Sequence, residues 1–204
     1  MLRGMVFIDH FNFDIAAKNL FKQNNCSSPR LDYEALPRFI CNQLPNIDLV
    51  KTMLFIAKPD EFLMHEEYIK KAYEWASNLQ NKPFFDVIEG KYLSRPTEGR
   101  TKDIEDKSSY FKIEKGMDTN LAIHAISKAF FNSYDVVFFV SADTDYINMY
   151  SILKSIGKLA VVVSVAGQNI RSIIQYVDKN IILNLDQLME CQRSDKPMPA
   201  NGQT

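Results

Sequence analysis

Four aspartates stand where carboxylate chemistry would count. Asp9 closes an apolar run in VFIDHFN, Asp143 and Asp145 follow another in VVFFVSADTDY, and Asp118 opens a helix-compatible segment in EKGMD. Acids that end two strands of one parallel sheet arrive at the same edge of it, and Asp118 begins a helix leading into the second of those strands, so three or four carboxylates can converge. Two carboxylates about 5 Å apart repel by roughly 3 kcal/mol at an effective dielectric of 20, so such a group takes up protons or recruits a cation. An all-oxygen donor set favours Mg2+ or Mn2+ over zinc. The acids also have a plainer use, because an aspartate after a strand commonly caps the next helix, and Asp118 and Asp145 both stand in such positions.

The elements that must place these acids are read from hydrophobic patterning. Apolar runs over 5–8, 50–57, 84–88, 136–140, 159–165 and 181–183 predict strands. Helical spacing predicts helices over 13–22, 118–131, 145–156 with Gly157 closing it, and 169–176, with a short or broken helix over 31–44 around Pro37. Asp60 is expected to cap a long amphipathic helix reaching residue 79 or so. Residues 91–114 carry charged and turn residues without periodicity and read as a loop or loose hairpin. Apolar strands alternating with helices predict an α/β fold, a three-layer α/β/α sandwich of Rossmann-like type with a mostly parallel central sheet. One domain over 1–192 and a disordered polar tail over 193–204 are expected.

Charge narrows the partners. Lys and Arg number 24 against 25 Asp and Glu, a net charge of -1, so no global basic field draws the chain to nucleic acid or to a membrane surface. A polyanion must be held by a local patch or through a bound cation. The stretch 91–115 offers Lys91, Arg95, Arg100, Lys102, Lys107, Lys112 and Lys115 interleaved with Tyr92, Tyr110 and Phe111, which can follow a phosphate backbone and stack bases. Five acids in the same stretch support the plainer reading of a solvated loop, and Lys112 and Lys115, nearest the KGMD segment, are the first candidates for substrate contact. Cys26, Cys41 and Cys191 are odd in number and lack a paired spacing, which argues against a disulfide framework or a structural zinc and for a reducing, cytoplasmic setting. No apolar stretch is long enough for a membrane span.

In their order, VFIDHFN, KGMDTNLAIHAI and FFVSADTDYINMYSILKSIGKLAVVV resemble the three motifs of the LabA-like NYN domain, a branch of the PIN-like nucleases, over roughly residues 5–188. The resemblance implies a PIN-like α/β/α fold, a divalent cation (Mg2+ or Mn2+) held by acids, and hydrolysis of phosphodiester bonds in single-stranded or structured RNA. By matching motif positions, Asp9, Asp118, Asp143 and Asp145 carry over as the catalytic and metal-binding acids, with Asn12 and Ser141 in support. His10 stands where a small residue is usual, Ala142 replaces the common glycine of the Ser-Gly-Asp turn, and His124 replaces a frequent aspartate, which lowers the negative charge. The alternative reading is a PIN-like module that binds RNA or a protein partner, another copy of itself included, without cutting. A haloacid-dehalogenase-like phosphatase fits worse, because its DxD opens the fold, and a nucleotide-sugar transferase leaves Asp9 unexplained.

Overall fold

The first strand, β1 (Leu2–Asp9), sends Val6 and Ile8 to one apolar layer and Met5 and Phe7 to the other, with all four buried. Burial on both faces is what an inner strand of a parallel sheet requires. In the computed structural model, which describes residues 1–27 and 30–193, β1 pairs in parallel with β2 (Ile47–Pro59) on one side and with β5 (Val136–Val140) on the other. Beyond β2 lie β3 (Phe85–Pro96), parallel, and β4 (Tyr110–Lys115), antiparallel; beyond β5 lie β6 (Leu159–Val165) and β7 (Lys179–Leu183), both parallel. The order is β4-β3-β2-β1-β5-β6-β7, so the chain builds outward from β1 and then returns to build outward on its other side. The reversal falls between β1 and β5, and ligands of such sheets bind beyond the carboxyl ends of the strands at that point.

Helices cover both faces. The helices α1 (His10–Gln23), α2 (Ala35–Cys41) and α6 (Leu185–Glu190), with the end of α3 (Glu67–Ser77), bury Phe13, Phe21, Leu36, Ile40, Ala76 and Leu188 against Ile8, Leu54 and Phe138. On the opposite face α4 (Met117–Phe130) and α5 (Ile147–Ser155) bury Leu121, Ala125, Tyr150 and Leu153 against a row of rings in which Phe7 lies 5.8 Å from Phe55 and 5.6 Å from Phe139. The expected three-layer α/β/α architecture is present. Among the described residues no helix is long and apolar enough to cross a membrane, and all three cysteines are free.

Two elements differ from the sequence reading, around Asp60 and over 169–176, and of the loop or hairpin read over 91–114 the hairpin is present. Asp60 does not start a long helix: its Oδ1 accepts the Leu63 N–H at 2.9 Å in a single 3-10 turn, its Oδ2 accepts the Ser94 N–H and hydroxyl at 2.7 Å each, and α3 begins only at Glu67. The carboxylate is spent on tying that turn to β3. Residues 91–114 hold an ordered antiparallel pairing in which Lys91 faces Lys115 and Pro96 faces Tyr110. The helix expected over 169–176 shrinks to one turn, Ile174–Tyr176, because Asn169 turns its side chain back onto the Arg171 N–H at 3.2 Å. At the chain end Arg193 is held, donating its N–H to the Arg30 carbonyl at 2.8 Å; the rest of the expected disordered tail, 194–204, lies outside the described residues.

The approach of α4 to the sheet depends on two glycines. Gly116 takes φ 81°, a left-handed conformation that turns β4 sharply into α4. A Cβ at Gly90 of β3 would stand 2.5 Å from Met117 Sδ and 2.9 Å from the Lys115 carbonyl oxygen. The first turn of α4 therefore lies directly on β3. Gly90→Ala should destabilise the fold by about 1–3 kcal/mol, the usual cost of overpacking, read as a lower midpoint in urea; an unchanged midpoint would contradict this packing.

Candidate active site

Asp9 serves structure and site at once. As the N-cap of α1 it accepts the Asn12 N–H on Oδ1 at 3.2 Å, while Oδ2 receives the Ser141 and Tyr146 hydroxyls, each at 3.2 Å. Burial, to 7% exposure, pushes its pKa up, and the three donors partly oppose that. Asp118, exposed in the first turn of α4, accepts the same Tyr146 hydroxyl at 2.9 Å. A phenol carries one proton and can satisfy only one of two carboxylates at a time, so the second oxygen pair is repulsive unless a carboxyl is protonated or a cation intervenes. Burial, reinforced by both carboxylates, drives the Tyr146 pKa far upward, so the phenol keeps its proton.

A third acid belongs to this group and was not singled out from the sequence. Glu114, half-buried on β4, is pushed up to about 7 by burial, with the charges of Asp9 and Asp118 adding to the shift. Its only sequence signal is its place two residues before Gly116 in EKGMD, and that has meaning only once β4 is known to pair with β3. Gln168 was also missed. Its Nε2 donates to Asn12 Oδ1 at 3.0 Å and its Oε1 accepts the Val165 N–H at 2.9 Å, while Asn12 Oδ1 also accepts the Ala142 N–H at 3.0 Å. One asparagine side chain thus joins the carboxyl ends of β1, β5 and β6.

The remaining expected residues have partners of their own. Asp143 is half-buried, donates its N–H to Ser141 Oγ at 3.2 Å and accepts the Asp145 N–H on Oδ1 at 3.0 Å. Ser141 therefore stands between Asp143 and Asp9, and the capping role expected of Asp145 falls to Asp143. Asp145 itself is exposed. Beside them the buried Tyr150 hydroxyl has no partner among the described residues and feels the charges of Asp143 and Asp9. Also among the described residues, no three Asp, Glu, His or Cys side chains are grouped to hold a metal ion as they stand.

Lys112 and Lys115 have different surroundings. Lys112 pairs with Glu66 at 2.9 Å; burial raises the Glu66 pKa, but hydrogen bonds from Lys112, Tyr110 and Lys107 outweigh it and hold it at about 2. Lys115 is exposed, without an ion pair among the described residues, and directly opposite Lys91. Of the histidines, His124 sets its ring edge-on to Phe55 at 6.0 Å, a rim position, and His10 lines a cavity beside Asp9.

An α/β/α sandwich with acids at the carboxyl edge of its switch point is the arrangement of a PIN-like nuclease domain. Residues 3–184 match the NYN domain, and the chain belongs to that family, which lies within the PIN-like nuclease superfamily and whose members are typically nucleases. A search of curated proteins finds no match. Among solved structures the chain is similar to a Vibrio parahaemolyticus protein of unknown function, at 16% identity over 91% of this chain and 94% of that one with a TM-score of 0.53, a likeness of fold.

The acid group makes stability depend on pH. Glu114 holds its proton up to about pH 7 when folded and up to about 4.5 when unfolded, so between those values the folded state binds more protons and stability falls as pH rises. In EDTA, Glu114→Gln should melt higher than the parent at pH values above that window and equal to it below. Identical pH profiles for the two proteins would contradict the assignment.

Proposed function

We propose that the chain is a divalent-metal-dependent ribonuclease that hydrolyses RNA phosphodiester bonds at the carboxyl edge of β1 and β5. The observation that carries this reading is the convergence of Asp9 and Asp118 on the single proton of Tyr146, with Glu114 adding a third acid. The donors are all oxygen and their charge is uncompensated, which suits a hard cation. Asp9, Asp118, Asp143 and Asp145 are the residues that would hold Mg2+ or Mn2+, and Tyr146 lies between the first two. Such an ion, when bound, activates water and stabilises charge developing on the phosphate.

The other steps fall to the chain's own groups. Asn12, Gln168 and Ser141 hold the β1, β5 and β6 ends in register, which keeps Asp9 and Asp143 in place. Glu114, titrating near neutrality, is suited to take a proton from the attacking water. Lys115 is the better candidate for steering a phosphate, since Lys112 is committed to Glu66. The free cysteines fit action in the cytoplasm.

Labelled single-stranded RNA incubated with Mn2+ should be cut, and Asp143→Asn should lower the rate by at least about 100-fold. Asparagine retains an oxygen for the Asp145 N–H, so the variant should melt at or above the parent in metal-free buffer. Binding that survives EDTA, with no cleavage under any divalent cation, would instead establish a non-cutting RNA-binding module. In a salt titration Lys115→Ala should reduce the magnitude of the slope by about 0.7, the value for one lost phosphate contact on a single strand, and Lys112→Ala should leave it unchanged; the reverse pattern would misplace the strand.

A further inference from the structure

Next to the acids lies a cavity of about 790 Å³ between α1 and α3, within the roughly 300–1,000 Å³ of ordinary ligand sites. His10 and Phe11, which directly follow Asp9, form part of its wall, so the cavity and the acid group share one turn of chain. Aromatic rings dominate it. His10, Tyr33 and Trp75 meet edge to face or tilted at 5.7, 5.2 and 6.1 Å between centres, and Phe11 packs on Tyr92 at 5.3 Å toward the acids. Tyr68 stands at the outer wall, 71% exposed.

The polar groups of the cavity are those that read a heterocycle on a polyanion. His10 Nδ1 and the Tyr33 hydroxyl exchange a hydrogen bond at 3.0 Å, and the other ring nitrogen has no partner among the described residues. In the neutral imidazole Nε2 offers one donor or one acceptor, depending on the tautomer. Lys18 and Arg193 line the wall, and Lys18 pairs with the wall's Asp14 at 2.6 Å. The Arg193 guanidinium lies over Trp75 at 4.7 Å.

We propose that this cavity receives an unpaired nucleobase of a single-stranded RNA whose backbone continues onto the Asp9–Asp118 edge, a reading that rests on the ribonuclease assignment and names the form of its substrate. A chain of net charge -1 has no general attraction for RNA and Lys115 can hold only one phosphate, so contacts that do not depend on phosphate charge must add to the affinity. Stacking on aromatic faces supplies it without regard to sequence, since every base has a π-face. A base in a duplex is already stacked and paired and cannot enter, so the cavity selects single strands.

Trp75 is the only tryptophan, so its fluorescence reports on the cavity directly. The Asp143→Asn chain in EDTA, where nothing is cut, is titrated with an adenosine single strand of about six nucleotides, an abasic strand of equal length and charge, the duplex of the first, and AMP. The base-bearing strand should quench Trp75 saturably, with the abasic strand and duplex at least tenfold weaker. Tyr68→Ala should weaken the single strand by about 5- to 150-fold, the range for losing one stacked base, and Tyr68→Phe should restore it. Equal binding of the abasic strand or the duplex overturns the proposal, and saturation by AMP at the concentration needed for the strand makes the cavity a free-nucleotide site, which also overturns it. Cleavage by the unmodified chain with Mn2+ is scored separately. Base-dependent quenching without cleavage leaves the cavity and removes the nuclease, and cleavage without base-dependent quenching does the reverse.

Discussion

Two carboxylates compete for one phenolic proton at the carboxyl edge of the sheet, and much of the molecule is organised to hold them there. Asp9 ends the inner strand β1 and is buried; Asp118 sits on a helix whose first turn lies against Gly90; Tyr146 ends the turn that Asp143 caps. Uncharged side chains tie these positions together. Asn12, just after β1, accepts from residues that follow β5 and β6 through a single oxygen, and Ser141 bridges Asp9 to the Asp143 backbone. The fold therefore supports an electrostatically unfavourable arrangement, which is the condition under which a cation or a proton binds.

How much of this could be read in the sequence follows from how local each feature is. The strands over 136–140 and 159–165 coincide with their observed bounds, because a strand buried on both faces needs only a continuous apolar run. The edge positions of Asp9 and Asp143 were legible because an acid at the end of such a run, or just past it, emerges at the sheet edge. Glu114 was not, since its role depends on β4 folding back on β3, and that edge hairpin carries lysines and glutamates that mask its alternation. Tyr146 and Gln168 act through partners 28 to 156 residues away, beyond any motif spacing. Asp60 has the type and place of a helix cap, yet Ser94 across the chain claims its second oxygen and only a 3-10 turn results.

The basic stretch 91–115 shows the same limit for charge. Of its two best-placed lysines, Lys112 answers the half-buried Glu66 and only Lys115 faces outward without an ion pair among the described residues. Composition counts both alike. The aromatic cavity was invisible for a related reason: His10 and Phe11 come from the start of α1, Tyr33 from the approach to α2, Trp75 from α3 and Tyr92 from β3, and only the tertiary fold brings them together. Asp9 and the first two rings of the cavity, His10 and Phe11, are consecutive in the chain.

The central claim is that the Asp9–Asp118 pair is a cation site in waiting, with Tyr146 between its members. Anomalous diffraction at the manganese edge from crystals soaked in Mn2+ tests it most directly. The account predicts a peak within about 2.0 to 2.6 Å of oxygens from both aspartates, with the Tyr146 hydroxyl displaced from at least one of them. Crystals with no peak there and both tyrosine contacts unchanged at saturating Mn2+ would contradict it.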